Sequence, residues 1–144
     1  MGINEQMKTI FPVMKIRAHH LLCIQGFQGY GYNDVFVDNF IKIVNSIYSN
    51  LNGEIKITST CDDICNYCPH NLKGKCKKII GSSWVIKKKD KRVMKNLNIA
   101  EGILVKAKDI LSLVNNRISK ANEAKKICRN CSWKEKCLWF ISRE

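Results

Sequence analysis

Eight cysteines carry the chemistry of this sequence, and their spacing sorts them into two blocks and one outlier. The first block is Cys61-x3-Cys65-x2-Cys68-x7-Cys76, with Pro69 directly after Cys68. The second is Cys128-x2-Cys131-x5-Cys137. Cys23 stands apart, behind His19-His20. A two-residue gap lets both thiolates reach one ion from a tight turn, and zinc and iron–sulfur sites both use it. Buried, unliganded cysteine is the plain alternative. A gap repeated twice in one short chain, with a third cysteine near each pair, favours metal.

Eight cysteines make two sets of four. In the simplest partition Cys61, Cys65, Cys68 and Cys76 form one set, and Cys128, Cys131 and Cys137 need a fourth ligand, for which Cys23 is the candidate. His19 and Cys23 stand i, i+4 on a proposed helix and His20 and Cys23 stand i, i+3, so either pair can face one site. A histidine there can be a ligand, can orient a ligand, or can be a polar residue at a strand–helix junction. The rival partition omits Cys61 and lets Cys23 or a histidine complete the first set.

Spacing leaves the metal open. Four thiolates hold zinc tetrahedrally, without redox chemistry, and four thiolates also hold a 4Fe–4S cluster. Cys61-x3-Cys65-x-Tyr67-Cys68 matches the cluster motif of radical S-adenosylmethionine enzymes. Those enzymes set that loop in an α/β barrel, which this chain is too short in strands to build.

The elements that must position these residues read as mainly α with a minor two-stranded β element, a small α+β fold. Residues 13–17 form a short strand, and His19–Phe27 a helix ended by Gly26, Gly29 and Gly31. Asn33 or Asp34 caps a second helix whose stripe includes Phe36, Phe40, Ile43, Ile47 and Leu51. Glu54–Ser59 is a strand that pairs with 13–17. Cys61–Cys76 has no periodicity and reads as a ligand loop, Ile79–Ile86 is ambiguous, and Asp90–Leu97 is a short helix. Residues 103–118 carry a helical stripe, and 121–127 and 134–141 are short helices around the last cysteines.

The chain has 144 residues, 45% hydrophobic and 26% charged, which suits one soluble domain over 14–144 behind a tail at 1–13. No apolar run reaches the ~18 residues of a membrane span, and the N-terminus lacks a secretory signal, so a cytoplasmic location with reduced thiols is expected. Net charge is +13, but Lys, Ile and Asn together make 53 residues, a bias that AT-rich codons alone would produce. The charge is local: residues 73–95 hold ten basic residues and one acid. Lys87, Lys88, Lys89, Lys91 and Arg92 form the sharpest run. It is either a solvated face or a docking site for an acidic redox partner, with nucleic-acid phosphates the weaker option.

Gly26–Tyr32 lacks the strand–helix context of a dinucleotide loop and reads as a turn whose aromatics pack over a metal site. Trp133, Trp139 and Phe140 are core, or else shield a cluster from water. Asp62-Asp63 are turn or capping residues. No Ser/His/Asp or Cys/His nucleophile arrangement is apparent.

KIRAHHLLCIQGFQGYGY, DDICNYCPHNLKGKC and CRNCSWKEKCLW together resemble a small family of uncharacterised bacterial and archaeal proteins with an HHLLC motif and CxxCP…C and CxxCxW…C blocks. The resemblance covers about residues 14–140. It implies an iron–sulfur protein in which Cys23, Cys65, Cys68, Cys76, Cys128, Cys131, Cys137, His19 and His20 belong to the pattern. Cys61 has no recognised counterpart there. The expectation is therefore one or two 4Fe–4S clusters serving electron transfer or redox sensing. The alternatives are a zinc-stabilised nucleic-acid or protein-interaction module, and an enzyme using a cluster as Lewis acid or relay.

Overall fold

A computed structural model describes residues 13–72, 75–76, 82–129, 131 and 133–143. The tail at 1–13, apart from Val13, lies outside the described residues, as do residues 79–81 of the ambiguous stretch and Lys73, Lys77 and Lys78 of the basic block.

Strand β1 (Met14–Arg17) pairs in parallel with β2 (Glu54–Thr58). A parallel pair needs a crossover, and α1 (His20–Gly26) and α2 (Asp34–Ser49) fill it. Ile16 stands opposite Ile57 and Met14 opposite Ile55, and the three isoleucines are buried. The start of α2 is set by Asn33, whose Oδ1 accepts the Phe36 N–H at 2.8 Å. Its stripe of Phe36, Phe40, Ile43 and Ile47 is buried.

The sheet has three strands, not the two expected. After the two-residue strands β3 (Asn71–Leu72) and β4 (Lys75–Cys76), which form a hairpin inside the cysteine loop, β5 (Leu104–Lys106) runs antiparallel along the second edge of β2. These residues head the helical stripe read over 103–118, so α4 is shorter (Ala107–Arg117). The cause is long-range. The free edge of β2 pairs Ile55 with Val105, and the Ile57 N–H donates to Ile103 O at 3.0 Å. Local periodicity carries no trace of that partner.

Helix α3 (Ser82–Leu97) is twice as long as the expected 90–97 and buries Asp90, Val93, Met94 and Leu97. Asn98 follows at φ 55°, the left-handed position that asparagine tolerates at a helix end. α5 (Ala121–Ile127) and α6 (Leu138–Ile141) bracket the second cysteine block. α1 packs on α6 and α4, and α3 on α4 and α5. The fold is thus mainly helical with a small mixed sheet. Among the described residues no helix is long and apolar enough to cross a membrane.

The outer edge of β1 is closed by the cysteine loop. Asp63 Oδ2 accepts the Lys15 N–H at 2.8 Å, the Asp63 N–H donates to Lys15 O at 3.1 Å, and Asp62 Oδ2 accepts the Arg17 N–H at 2.6 Å. An edge strand's unpaired groups are satisfied, and the same bonds fix where the first cysteine block starts.

Candidate metal centre

Both CxxC pairs are joined by the same backbone bond. The Cys68 N–H donates to Cys65 O at 3.0 Å, and the Cys131 N–H donates to Cys128 O at 3.0 Å. Each turn returns the second cysteine over the first, as the spacing required. Cys137 ends a 3-10 turn (Lys134–Lys136) and opens α6. Because α6 packs on α1, Cys137 meets the helix that carries Cys23. The closeness is steric: a Cβ on Gly26 would overlap Cys137 Sγ and sit 2.7 Å from Trp139 N. Gly26→Ala must push α6 away, and a cost of about 1–3 kcal/mol is expected, read from the urea midpoint. An unchanged midpoint would mean that α6 yields freely.

All eight cysteines line one cavity of about 160 Å3, together with His19, His20, Tyr32 and Trp133. Within it they fall into two groups. The Cys23 thiol is pushed well up, first by burial, then by the charges that Cys131, Cys128 and Cys137 would carry. Burial likewise pushes Cys128 up to about 12, with Cys131 and Cys137 adding to it and Lys89 opposing. On the other side burial raises Cys61, Cys65 and Cys68. Cys61 and Cys65 feel one another and Asp62, while Cys61 and Cys68 both feel Cys76. By their mutual electrostatic influence the thiols sort into Cys61, Cys65, Cys68 and Cys76 on one side and Cys23, Cys128, Cys131 and Cys137 on the other, and among the described residues no three of these sulfurs lie within 4.8 Å of one another.

Tyr32 stands between the groups. Burial raises its phenol first, followed by Cys68 and Cys76 from one side and Cys131 and Cys23 from the other. Its ring meets Phe36, His70 and Trp133 edge-on at 5.2, 4.6 and 4.6 Å. Trp139 and Phe140 are buried core, whereas Trp133 lines the cavity.

The histidines are held by buried carboxylates. Asp90, with no exposed surface, accepts Arg17 Nε at 2.6 Å on Oδ2, and on Oδ1 the His19 N–H at 2.9 Å and His19 Nδ1 at 2.6 Å. Asp62 Oδ2 meets His20 Nδ1 at 2.7 Å, and its Oδ1 accepts the Cys65 N–H at 2.9 Å. Burial works against both carboxylates, yet His20 and the Arg17 N–H hold Asp62 well below the usual range, and His19 and Arg17 hold Asp90 low. His19 is itself lowered to about 4, chiefly by burial. Arg17 already balances Asp90, so a proton on His19 would add an unmatched buried charge. At neutral pH His19 is a neutral ring donating Nδ1–H to Asp90, which leaves Nε2 as a lone pair. A carboxylate behind a histidine is the arrangement that fixes a metal-binding imidazole.

Arg17 and Asp90 went unnoticed in the sequence. The Arg17 side chain, buried to 3% exposure, also donates to Ser59 O at 3.0 Å and to Cys61 Sγ at 3.7 Å. Asp90 had a signal: it is the one acid in the basic block, and it stands i, i+3, i+4, i+7 with Val93, Met94 and Leu97. Asp62 does cap Cys65, as its loop position suggested, and it also anchors His20.

His20, Asp62 and Cys65 offer ligand atoms within 4.8 Å of one another. A nucleophilic reading of this trio is opposed by Cys65, whose thiol is pushed far up by burial and then by the Asp62 charge. Attack needs a thiolate at neutral pH. A bound cation is what removes protons from thiols so placed.

Residues 31–137 match the model of a family described as "Protein of unknown function (DUF1284)". The match takes in seven cysteines and Asp90, and it starts after Arg17, His19, His20 and Cys23. The chain matches no curated protein and no solved structure.

Proposed function

The chain belongs to this DUF1284 family, and we propose that it is an iron–sulfur protein that carries single electrons. Cys61, Cys65, Cys68 and Cys76 would hold one 4Fe–4S cluster, and Cys23, Cys128, Cys131 and Cys137 a second. The observation that carries this reading is that all eight cysteines line one cavity. The cavity measures about 160 Å3. The donor set fits, because thiolate is the ligand such clusters take.

When bound, a cluster supplies one-electron redox chemistry at a potential set by charge, hydrogen bonds to sulfur and exposure. The chain's own residues address each of these. Arg17 donates to Cys61 Sγ, and Lys89 and Lys136 line the cavity. Phe27, Phe36 and Phe40 form an aromatic wall of the cavity, with Phe27 stacked on Phe40 at 4.2 Å. Buried Asp62 and Asp90 hold the two histidines in place.

Zinc is the second reading, favoured by the close approach of His20, Asp62 and Cys65. Purification without oxygen separates the two. The expected product is brown, absorbs near ~400 nm, and contains iron and acid-labile sulfide. A colourless protein with stoichiometric zinc overturns the iron–sulfur reading.

A further inference from the structure

A second concavity, a cleft of about 840 Å3, lies between α3 and α5. Of the eleven described residues that line it, seven are Lys or Arg and one is an acid, Glu123, which is engaged by Arg92 at 2.9 Å and Asn96 at 2.9 Å. Lysines on both helices, among them Lys88, Lys91 and Lys95 of α3 and Lys126 of α5, therefore face one open space. Codon bias would scatter lysine over the surface; it does not account for a concave cluster of one sign.

The cleft shares a wall with the cysteine cavity. Lys89 and Ile127 line both. Ile127 is joined by one peptide bond to Cys128. A partner seated in the cleft would stand one residue from the second cysteine group.

We propose that this cleft docks an acidic electron-carrier protein. The choice over nucleic acid rests on three observations. Among the described residues no aromatic platform for bases lines the cleft, and exposed Trp84 lies outside it with the Lys88 ammonium 5.0 Å from its ring. Five of the seven basic residues are lysines, compact point charges that steer a partner without demanding fork geometry. The shared wall brings the docked surface next to Cys128. The electron's destination rests on the iron–sulfur reading: the carrier loses one electron, the cysteine-held group gains it, and no bond or proton moves. The docking itself is measured without that reading.

The probe is an acidic plant-type [2Fe–2S] ferredoxin, titrated into the protein purified without oxygen. Binding is expected at low salt and should weaken about tenfold or more by ~0.15 M salt. Lys88→Glu, Lys91→Glu, Lys95→Glu and Lys126→Glu combined should weaken it by at least about tenfold. The same four positions changed to Gln should have an intermediate effect, and Lys106→Glu with Lys108→Glu on another face should have little. A short single-stranded DNA should bind more weakly than the ferredoxin. The proposal is overturned if the ferredoxin does not bind, if the four reversals leave binding unchanged, or if the DNA binds more tightly. The visible spectrum of each variant reports the cluster separately. An intact spectrum with unchanged binding sinks the docking alone, and a colourless wild type sinks the cluster alone.

Discussion

Replacing Asp90 with Ala is expected to lower the unfolding free energy by about 3–5 kcal/mol, the largest stability effect anticipated for any one side chain here. The carboxylate has no exposed surface and is the only carboxylate that Arg17, at 3% exposure, engages among the described residues. Without it the guanidinium keeps Ser59 O and Cys61 Sγ but faces no negative charge. A buried cation stripped of its counter-ion costs far more than a lost surface pair. The His19 N–H and ring lose their acceptor as well, which frees the start of α1 from α3. Asp90→Asn keeps the shape and part of the hydrogen bonding, so its cost should fall between Ala and wild type. The scale is set by Arg92→Ala, which breaks a pair 45% and 25% exposed and should cost at most about 1 kcal/mol. Urea midpoints of the three variants decide the matter. If Asp90→Ala costs no more than Arg92→Ala, this network does not hold α3 to the sheet.

That Asp90 escaped the sequence reading while α2 did not follows from what each signal depends on. The α2 stripe is local and apolar, so Phe36, Phe40, Ile43 and Ile47 announce their own burial. Asp90 sits in Lys87–Arg92, where a lone acid among cations looks solvated. Only its spacing from Val93, Met94 and Leu97 marks it as buried, and only Arg17 and His19, more than 70 residues away, explain why it can be. The strand Leu104–Lys106 was hidden in the same way, because its partner Ile55 lies far back in the chain. Local cysteine spacing was more legible, since a CxxC turn is closed by its own backbone. The approach of Cys23 to Cys128, Cys131 and Cys137, an assignment that counting ligands in fours suggests, is not local. It depends on α1 packing against α6, with Gly26 bare enough to let Cys137 approach.

That assignment makes the largest compositional prediction. If each group of four holds its own cluster, Cys68→Ala and Cys128→Ala should each reduce iron from about eight to about four atoms per chain. Cys23→Ala should do the same, and Cys23→Ala with Cys128→Ala should lose no more than either alone, because both remove one centre. Cys68→Ala with Cys128→Ala should lose nearly all the iron. Such coupling within a group and additivity between groups is what a shared site produces. Cys61 is the sharpest case. Its sulfur takes a hydrogen bond from Arg17 and feels Cys65 and Cys76, so Cys61→Ala should behave like Cys68→Ala and add nothing to it. Full iron in Cys61→Ala would make it a bystander and leave the first cluster to three thiols and one other ligand, for which His20, close to Cys65 and oriented by Asp62, is the nearest by geometry. Loss of all iron from any single substitution would mean that the eight thiols serve one group, and that Tyr32 does not divide them.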